Sequence, residues 1–336
     1  MYRTIAAALP ALALGSVSGL GALSLLQPLP ATAQQQWPAK PVRMVIPWPP
    51  GGGTDILGRV ISDPLAQALG QPVIVENRGG SNGVIGAEVV ARAVPDGYTI
   101  MFHSVTSHIL NPSFYPKLPY DTVNDFQSVT LVGELPLAVL AHPSLPVRNV
   151  KELVALVKQQ PGKMSYASFG VGSMSHLGGE MFMGMLGLKM VHIPYKGGNP
   201  AMVDLMGGHV PLFFASLPTV PEPVKAGKVR ALAITSAGRS PLLPDVPSVN
   251  EAAGIKGYEA TIMYGVHTPA KVSPDIVRRL NEVMGKVLRS PDTVAKLQAQ
   301  GMAATIPGTP EQMTAYIKEN IPRWAKVIRD ANIRLD

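Results

Sequence analysis

The stretch Pro47-Trp48-Pro49-Pro50-Gly51-Gly52-Gly53-Thr54-Asp55 constrains this chain most. Before it, Val42 to Ile46 is a short apolar run that reads as a buried strand. After it, Ile56, Leu57, Val60, Ile61, Leu65 and Leu69 recur at helical spacing. Strand, glycine loop and helix in that order aim free backbone N–H groups at an anion, with the positive end of the helix dipole behind them. Three glycines let a ligand approach the main chain, and Thr54 or Asp55 is expected to cap the helix. A nucleotide loop does not fit. No Lys-Ser/Thr pair follows, and Ile56 stands where G-x-G-x-x-G needs its third glycine. An ordinary strand-to-helix turn is the plain alternative, and similar loops further along weigh against it.

From Val42 onward short apolar strands alternate with amphipathic helices, which predicts an α/β fold. Val73 to Val75 ends in the polar run Glu76 to Gly83, and a helix is expected from Val84 to Val94. Tyr98 to Phe102 leads into His103-Ser104-Val105-Thr106-Ser107-His108, read as a third loop. Ser128 to Val132 and Leu137 to Ala141 read as two strands, the second crossing between lobes. Ser165 to Ser168 feeds Phe169-Gly170-Val171-Gly172-Ser173-Met174-Ser175-His176 and a helix, repeating the first architecture. Met190 to Ile193 leads through Pro194 to Pro200 into a short helix, Ala201 to Met206. Leu242 to Tyr258 reads as the return crossing and Thr261 to His267 as a strand back in the first lobe. Helices begin near Pro274, Pro291 and Pro310. In parallel sheets such loops gather at the carboxyl edge, where ligands bind. The expected organisation is a leader (1–33), a first lobe (34–136), a second lobe (137–257) and a return to the first (258–336).

At 336 residues the chain exceeds the usual single domain. Its start reads as a cleavable secretion signal: Arg3, the apolar stretch Ile5 to Leu29, and Ala31-Thr32-Ala33 before Gln34. No cysteine is present, which excludes disulfides and thiolate chemistry, and export without disulfides suits a periplasm-like space. The net charge of +7 is scattered, with no basic run of the kind nucleic acid requires. A mild positive field favours anionic solutes, or serves solubility alone. There is no G-x-S-x-G elbow, no H-E-x-x-H, and no pair among the seven histidines at metal spacing on a helix. Ser168 with His176 could be imagined as nucleophile and base, but no orienting carboxylate is evident. The reading is a binding protein without cofactor or metal.

Ile46 to Asp55, Gly70-Gln71-Pro72-Val73-Ile74-Val75-Glu76-Asn77-Arg78 and Pro95-Asp96-Gly97-Tyr98-Thr99 resemble the tripartite tricarboxylate transporter receptor family, the Bug-type periplasmic solute-binding proteins. So do Tyr166-Ala167-Ser168, Ser175-His176-Leu177, His192 to Gly197, Ala231 to Thr235 and Leu243 to Ser248, in the family's order from about Trp37 onward. The resemblance implies a type II, Venus-flytrap fold with a mixed sheet in each lobe. It implies a monomer that closes on a small carboxylate and delivers it to the membrane subunits of a tripartite transporter. Presentation to a sensor kinase is the alternative, and a secreted hydrolase a weaker one. By position, the first-lobe candidates are Gly52, Gly53, Thr54, Asp55, Asn82, Gly83, Ser104, Thr106 and Ser107. The second lobe would add Ser168, Gly172, Ser173 and His176, with Tyr195 and Lys196 more weakly.

Several positions depart from the family's pattern. Phe169 and Val171 replace small or polar residues, Ala215-Ser216 stands where many members have Asp-Asn, and His103 replaces a small residue. Trp48, Phe102, Phe169, Phe214 and Tyr264 add apolar surface. Phe102 and Phe214 are expected to serve packing, while Trp48 and Phe169 touch ligand. An aromatic or bulky mono- or dicarboxylate is therefore expected, stacked on Phe169 or Trp48, with His103 or His176 on a second carboxylate.

Overall fold

A computed structural model describes residues 37–330, so the expected leader lies outside the described residues. The first sheet is built from β1 (Val42–Ile46), β2 (Val73–Asn77) and β3 (Thr99–Ser104), all parallel, together with β4 (Phe126–Ala141) and β9 (Thr261–Pro269). Its order is β2-β1-β3-β9-β4, with β9 antiparallel to both neighbours. In the second sheet β5 (Ser165–Ser168) runs parallel to β6 (Val191–Pro194) and β7 (Leu212–Ser216). The far end of β4 lies antiparallel to β7 and to β8 (Arg230–Ile234). The fold is thus two-lobed α/β with a mixed sheet in each lobe.

One strand serves both lobes. The sequence reads as two strands across 128–141, yet β4 is a single strand of 16 residues. Phe126 to Pro136 pair with β9, and Leu137 to Ala141 pair with β7 and β8. Two register shifts, between Ser128 and Thr130 and between Leu131 and Gly133, bend it without ending it. The break in hydrophobicity at Gly133-Glu134 is therefore a bend, since the backbone still has a partner there.

The helices are α1 (Gly53–Leu69), α2 (Val84–Ala91), α3 (Val105–Phe114), α4 (Val150–Gln159), α5 (Met174–Leu186), α6 (Gly198–Met206), α7 (Pro221–Lys225), α8 (Val249–Ala253), α9 (Pro274–Arg289), α10 (Pro291–Gln298) and α11 (Pro310–Asp330). Proline opens the last three, its missing N–H harmless in a first turn. The expected third loop does not exist: β3 ends at Ser104 and α3 starts at the next residue. Ser104 Oγ accepts from the Ser107 N–H at 3.0 Å, so the hydroxyl-rich run is a helix cap. Within the stretch Leu242 to Tyr258, expected as the return crossing, lies the short helix α8. Phe102 and Phe214 are fully buried, as packing residues should be, and Phe102 stacks on Tyr264 at 5.6 Å.

Candidate functional site

The glycine loop is held from behind. Asp55, 3% exposed, accepts from the Gly51 N–H (2.9 Å), Arg59 Nε (3.0 Å) and Asn77 Nδ2 (2.9 Å). Burial alone would raise its carboxyl. Arg59, the Gly51 amide and Asn77 outweigh that and hold it below the usual carboxylate range. Asp55 therefore shapes the loop and has no oxygen to spare for a ligand. Neither it nor Thr54 caps α1. The N-cap is Gly52, extended at φ −78°, and no side chain bonds the helix start. The first intrahelical bond runs from the Ile56 N–H to the Gly52 carbonyl at 3.0 Å. The amides of Gly53, Thr54 and Asp55 precede that bond, outside the helical ladder.

Gly52, Gly53 and Thr54, at this helix start, border a cavity of about 460 Å³, counting its open mouth. Trp48, Pro49, Gly52, Gly53 and Thr54 form one wall, and Ser104, Ser107, Ile262 and Tyr264 the floor. The second lobe contributes Phe169, Gly198, Ser216 and Thr219. Gly198 opens α6, whose N-cap Gly197 again offers no side-chain bond. Two helix starts without a side-chain cap, one from each lobe, thus meet at one pocket. Facing Gly53, beside the Tyr264 phenol, is the buried Ser216 Oγ. A Cβ on Gly53 would lie 2.1 Å from it, so glycine is required there for the lobes to approach. Tyr264 closes the floor, and burial pushes its phenol up to about 12, so it is a hydrogen-bond donor at neutral pH.

Trp48 and Phe169 meet across the lobes, ring centroids 5.9 Å apart and edge to face. Both line the pocket. Gly83 and Asn82 lie instead on a small adjoining cavity with His103, Ser104, Ser107 and His108. Asn82 Nδ2 donates to Asn111 Oδ1 at 2.8 Å.

Several candidates sit elsewhere. His103 Nε2 is 2.7 Å from His267 Nδ1, and His108 donates through Nε2 to the Thr122 carbonyl at 2.9 Å. All three rings are buried. Burial, then the neighbouring rings, hold His103 well below the ordinary histidine range, so it is a neutral core residue with no nitrogen free for a carboxylate. Thr106 Oγ1 is spent on the Met263 N–H at 2.8 Å. In the second lobe His176 lies 3% exposed, stacked on His192 at 3.9 Å, and its Nδ1 accepts from the Gly172 N–H. Burial and His192 lower it to about 3. The imagined Ser168–His176 pair is absent: Ser168 Oγ meets His192 Nε2 at 2.6 Å. Ser173 Oγ caps α5, accepting from the His176 N–H at 3.3 Å, and donates to the Gly170 carbonyl at 2.5 Å. Gly172, at φ +76°, packs against Phe114. Ala215 is fully buried in β7, and its neighbour Ser216 takes the pocket position. Tyr195 lines a separate outer chamber, its hydroxyl donating to Asp204 at 2.7 Å.

Gly198 and Ser216 were within reach of the sequence. Pro200 suggests a helix beginning after it, whereas proline is tolerated in a first turn and α6 starts at Gly198. Ser216 ends β7 at its carboxyl edge, where ligands of α/β sheets gather. Pro49, Thr219 and Ile262 carried no comparable signal.

Comparison with known proteins agrees with the two-lobed fold. A family model, "Tripartite tricarboxylate transporter family receptor", matches residues 57–333. Protein BugT of Bordetella pertussis is 38% identical over 300 residues, covering 89% of this chain and 91% of BugT. The structure of the periplasmic binding protein BugD superposes with a TM-score of 0.83 at 35% identity, covering 89% of this chain and 99% of BugD. R. palustris Rpa4515, solved with adipate, superposes at 0.85 with 34% identity, covering 89% and 99%. The chain belongs to the tripartite tricarboxylate transporter receptor family, whose members are periplasmic solute-binding proteins and not enzymes.

Proposed function

We propose that this chain captures an aromatic or otherwise bulky carboxylate in the inter-lobe pocket and delivers it to the membrane subunits of a tripartite tricarboxylate transporter. One observation carries the reading: two helix starts without side-chain caps, from opposite lobes, converge on one pocket. Amides aimed at a common point, with two helix dipoles behind them, can hold an anion without a buried cation. Ser216 Oγ lies within the closing surfaces and can donate to the same head group. Because the pocket draws on both lobes, a bound acid favours the closed state by its differential contacts. Trp48 and Phe169 supply an aromatic wall beside it, each ring contact worth roughly 0.5–1.5 kcal/mol beyond burial. The lobe limits 34–136, 137–257 and 258–336, a monomer, and secretion through a leader of residues 1–33 belong to the same proposal.

Calorimetry with benzene carboxylates against C4–C6 diacids tests the ligand class. Micromolar binding of the aliphatic acids alone would end the aromatic assignment. Gly53→Val tests the pocket itself. The added side chain meets Ser216, so capture of any carboxylate should be lost, and unchanged affinity would place the site elsewhere.

A further inference from the structure

The glycine loop of the first lobe and the start of α6 also touch outside the pocket. Asn199, in the first turn of α6, donates through Nδ2 to the Pro50 carbonyl at 2.9 Å. Neither residue lines the pocket, although their neighbours Gly198 and Pro49 do. We infer that this bond is a latch: Asn199 is a positioning residue that holds the lobes together around a captured acid and sets how long it stays, without choosing which acid it is. The inference rests on the capture reading above and adds to it the residue that times release.

The Pro50–Gly51 peptide is gripped from both lobes. Its N–H donates to Asp55 Oδ2 at 2.9 Å, and Asp55 is itself fixed by Arg59 and Asn77. Its carbonyl meets Asn199 from the second lobe. A peptide whose N–H is already bonded to a carboxylate is polarised into a better acceptor at its oxygen, so the first lobe presents a prepared partner. Absent side chains give the two turns room to meet. A Cβ on Gly51 would lie 2.5 Å from Asn199 Nδ2, and one on Gly197 would lie 2.8 Å from Pro49 Cγ. The Tyr115 hydroxyl also reaches across, to the Val171 carbonyl, but 3.5 Å is the limit of a hydrogen bond. Pro50 and Gly51 are exposed and Asn199 is half-buried, so water takes over both groups once the lobes part. The bond therefore exchanges a water partner for a protein one, and its net worth is modest. It forms only after an acid has entered an open cleft, which puts its effect on departure and not on arrival.

The test measures dissociation rates by stopped flow and affinities by calorimetry on the full chain, with benzoate, benzene-1,4-dicarboxylate and hexanedioate as probes. In Asn199→Ala, every acid that the wild type binds should leave about three- to tenfold faster, with association changed by less than about twofold. The order of preference among the acids should not change, because the lost contact touches none of them. The melting temperature of the ligand-free chain should also stay where it is, which a residue needed only for folding would not allow. Asn199→Gln keeps a carboxamide donor on a longer arm and should recover part of the loss. Salt should leave the ratio of mutant to wild-type rates unchanged, because the latch joins two neutral groups. If Asn199→Ala releases the bound acids no faster than the wild type, the latch is wrong and the pocket stands. Losses that differ by more than about threefold between acids would make Asn199 a ligand contact and equally overturn the latch. If the wild type binds none of the three acids, the capture reading falls and the latch with it.

Discussion

Two strand–loop–helix units face each other across the cleft, and they differ at one point. In the first lobe β1 enters α1 through Gly51-Gly52-Gly53, and Gly52 occupies the N-cap with no side chain to bond the helix start. In the second lobe β5 enters α5 through Phe169 to Ser173, and Ser173 caps its own helix. The first helix start keeps its amides outside the ladder and beside the pocket, and the second satisfies its own with a serine hydroxyl. What separates the proposed anion site from a capped helix terminus is thus one side chain at the N-cap. The second lobe's contribution comes instead from α6, headed by Gly197. Glycine at the N-cap gives up only about a few tenths of a kcal/mol of helix stability relative to serine or aspartate, and leaves the amides for something else.

The sharpest way to break this comparison is to give α1 the cap it lacks. Gly52 is extended, and a Cβ there would meet nothing closer than the Pro49 carbonyl at 3.7 Å, so a side chain can be added without strain. Gly52→Asp puts a carboxylate on the amides that are proposed to hold the ligand. We expect affinity for any acid to fall by about 100-fold or more in calorimetry, with the melting temperature unchanged or higher. Retained affinity would mean that the amides of α1 are not the anion site.

Next in size is an effect on which the two walls should agree. His103, His108 and His267 back the first, His176 and His192 the second, all buried or largely so. Burial lowers His108 to about 4 and His176 to about 3. With folded values below the unfolded 6.5, the native state binds fewer protons than the unfolded one between pH 6.5 and about 4. Stability is therefore lost as pH falls through that window, by up to about 1.4 kcal/mol per pH unit for each histidine. Urea titrations between pH 7 and pH 4.5 should show that slope. Replacing His108 or His176 with asparagine should reduce it by a similar amount in either wall, and a change confined to one wall would show that only one cluster stays neutral.

Much of this was legible in the sequence. The apolar runs and helical spacing gave strand-to-helix units because burial demands that pattern whatever the partner. The glycine loop was legible because few other uses require three consecutive glycines. What the chain could not separate was a hydroxyl that caps from one that binds. Ser104, Ser173 and Thr106 have the residue types of a binding loop, but their oxygens are spent on main-chain N–H groups. Histidines carry the same ambiguity. His103 reads as a polar group beside a loop until the pairing of β3 with β9 sets it against His267. Nor does local pattern reveal that β4 is continuous, since its partner β9 lies more than a hundred residues away.

A smaller effect separates the walls by chemistry. Phe169→Ser removes the second lobe's ring from the pair with Trp48. The contact is worth about 0.5–1.5 kcal/mol, so benzene carboxylates should weaken by roughly three- to tenfold relative to aliphatic acids of similar size. Competition titrations of the two classes measure the ratio. An unchanged ratio would make Phe169 a packing residue and leave the second lobe's share of the pocket to Ser216, Thr219 and Gly198.

The smallest expected change in affinity is the most informative about the comparison itself. Ser173 Oγ is fully engaged, accepting from the His176 N–H and donating to the Gly170 carbonyl, and the residue is entirely buried. It has nothing left for a ligand and does not border the pocket. Ser173→Ala should therefore act on folding, removing about 1 kcal/mol of stability as lost helix caps do, while carboxylate affinity moves by less than about threefold. Paired measurements of denaturant midpoint and calorimetric affinity on the same preparation separate the two effects. A tenfold loss of affinity at undiminished stability would mean that the Ser173 hydroxyl at the start of α5 contacts the ligand. The second unit would then bind through a side chain where the first is proposed to bind through main-chain amides.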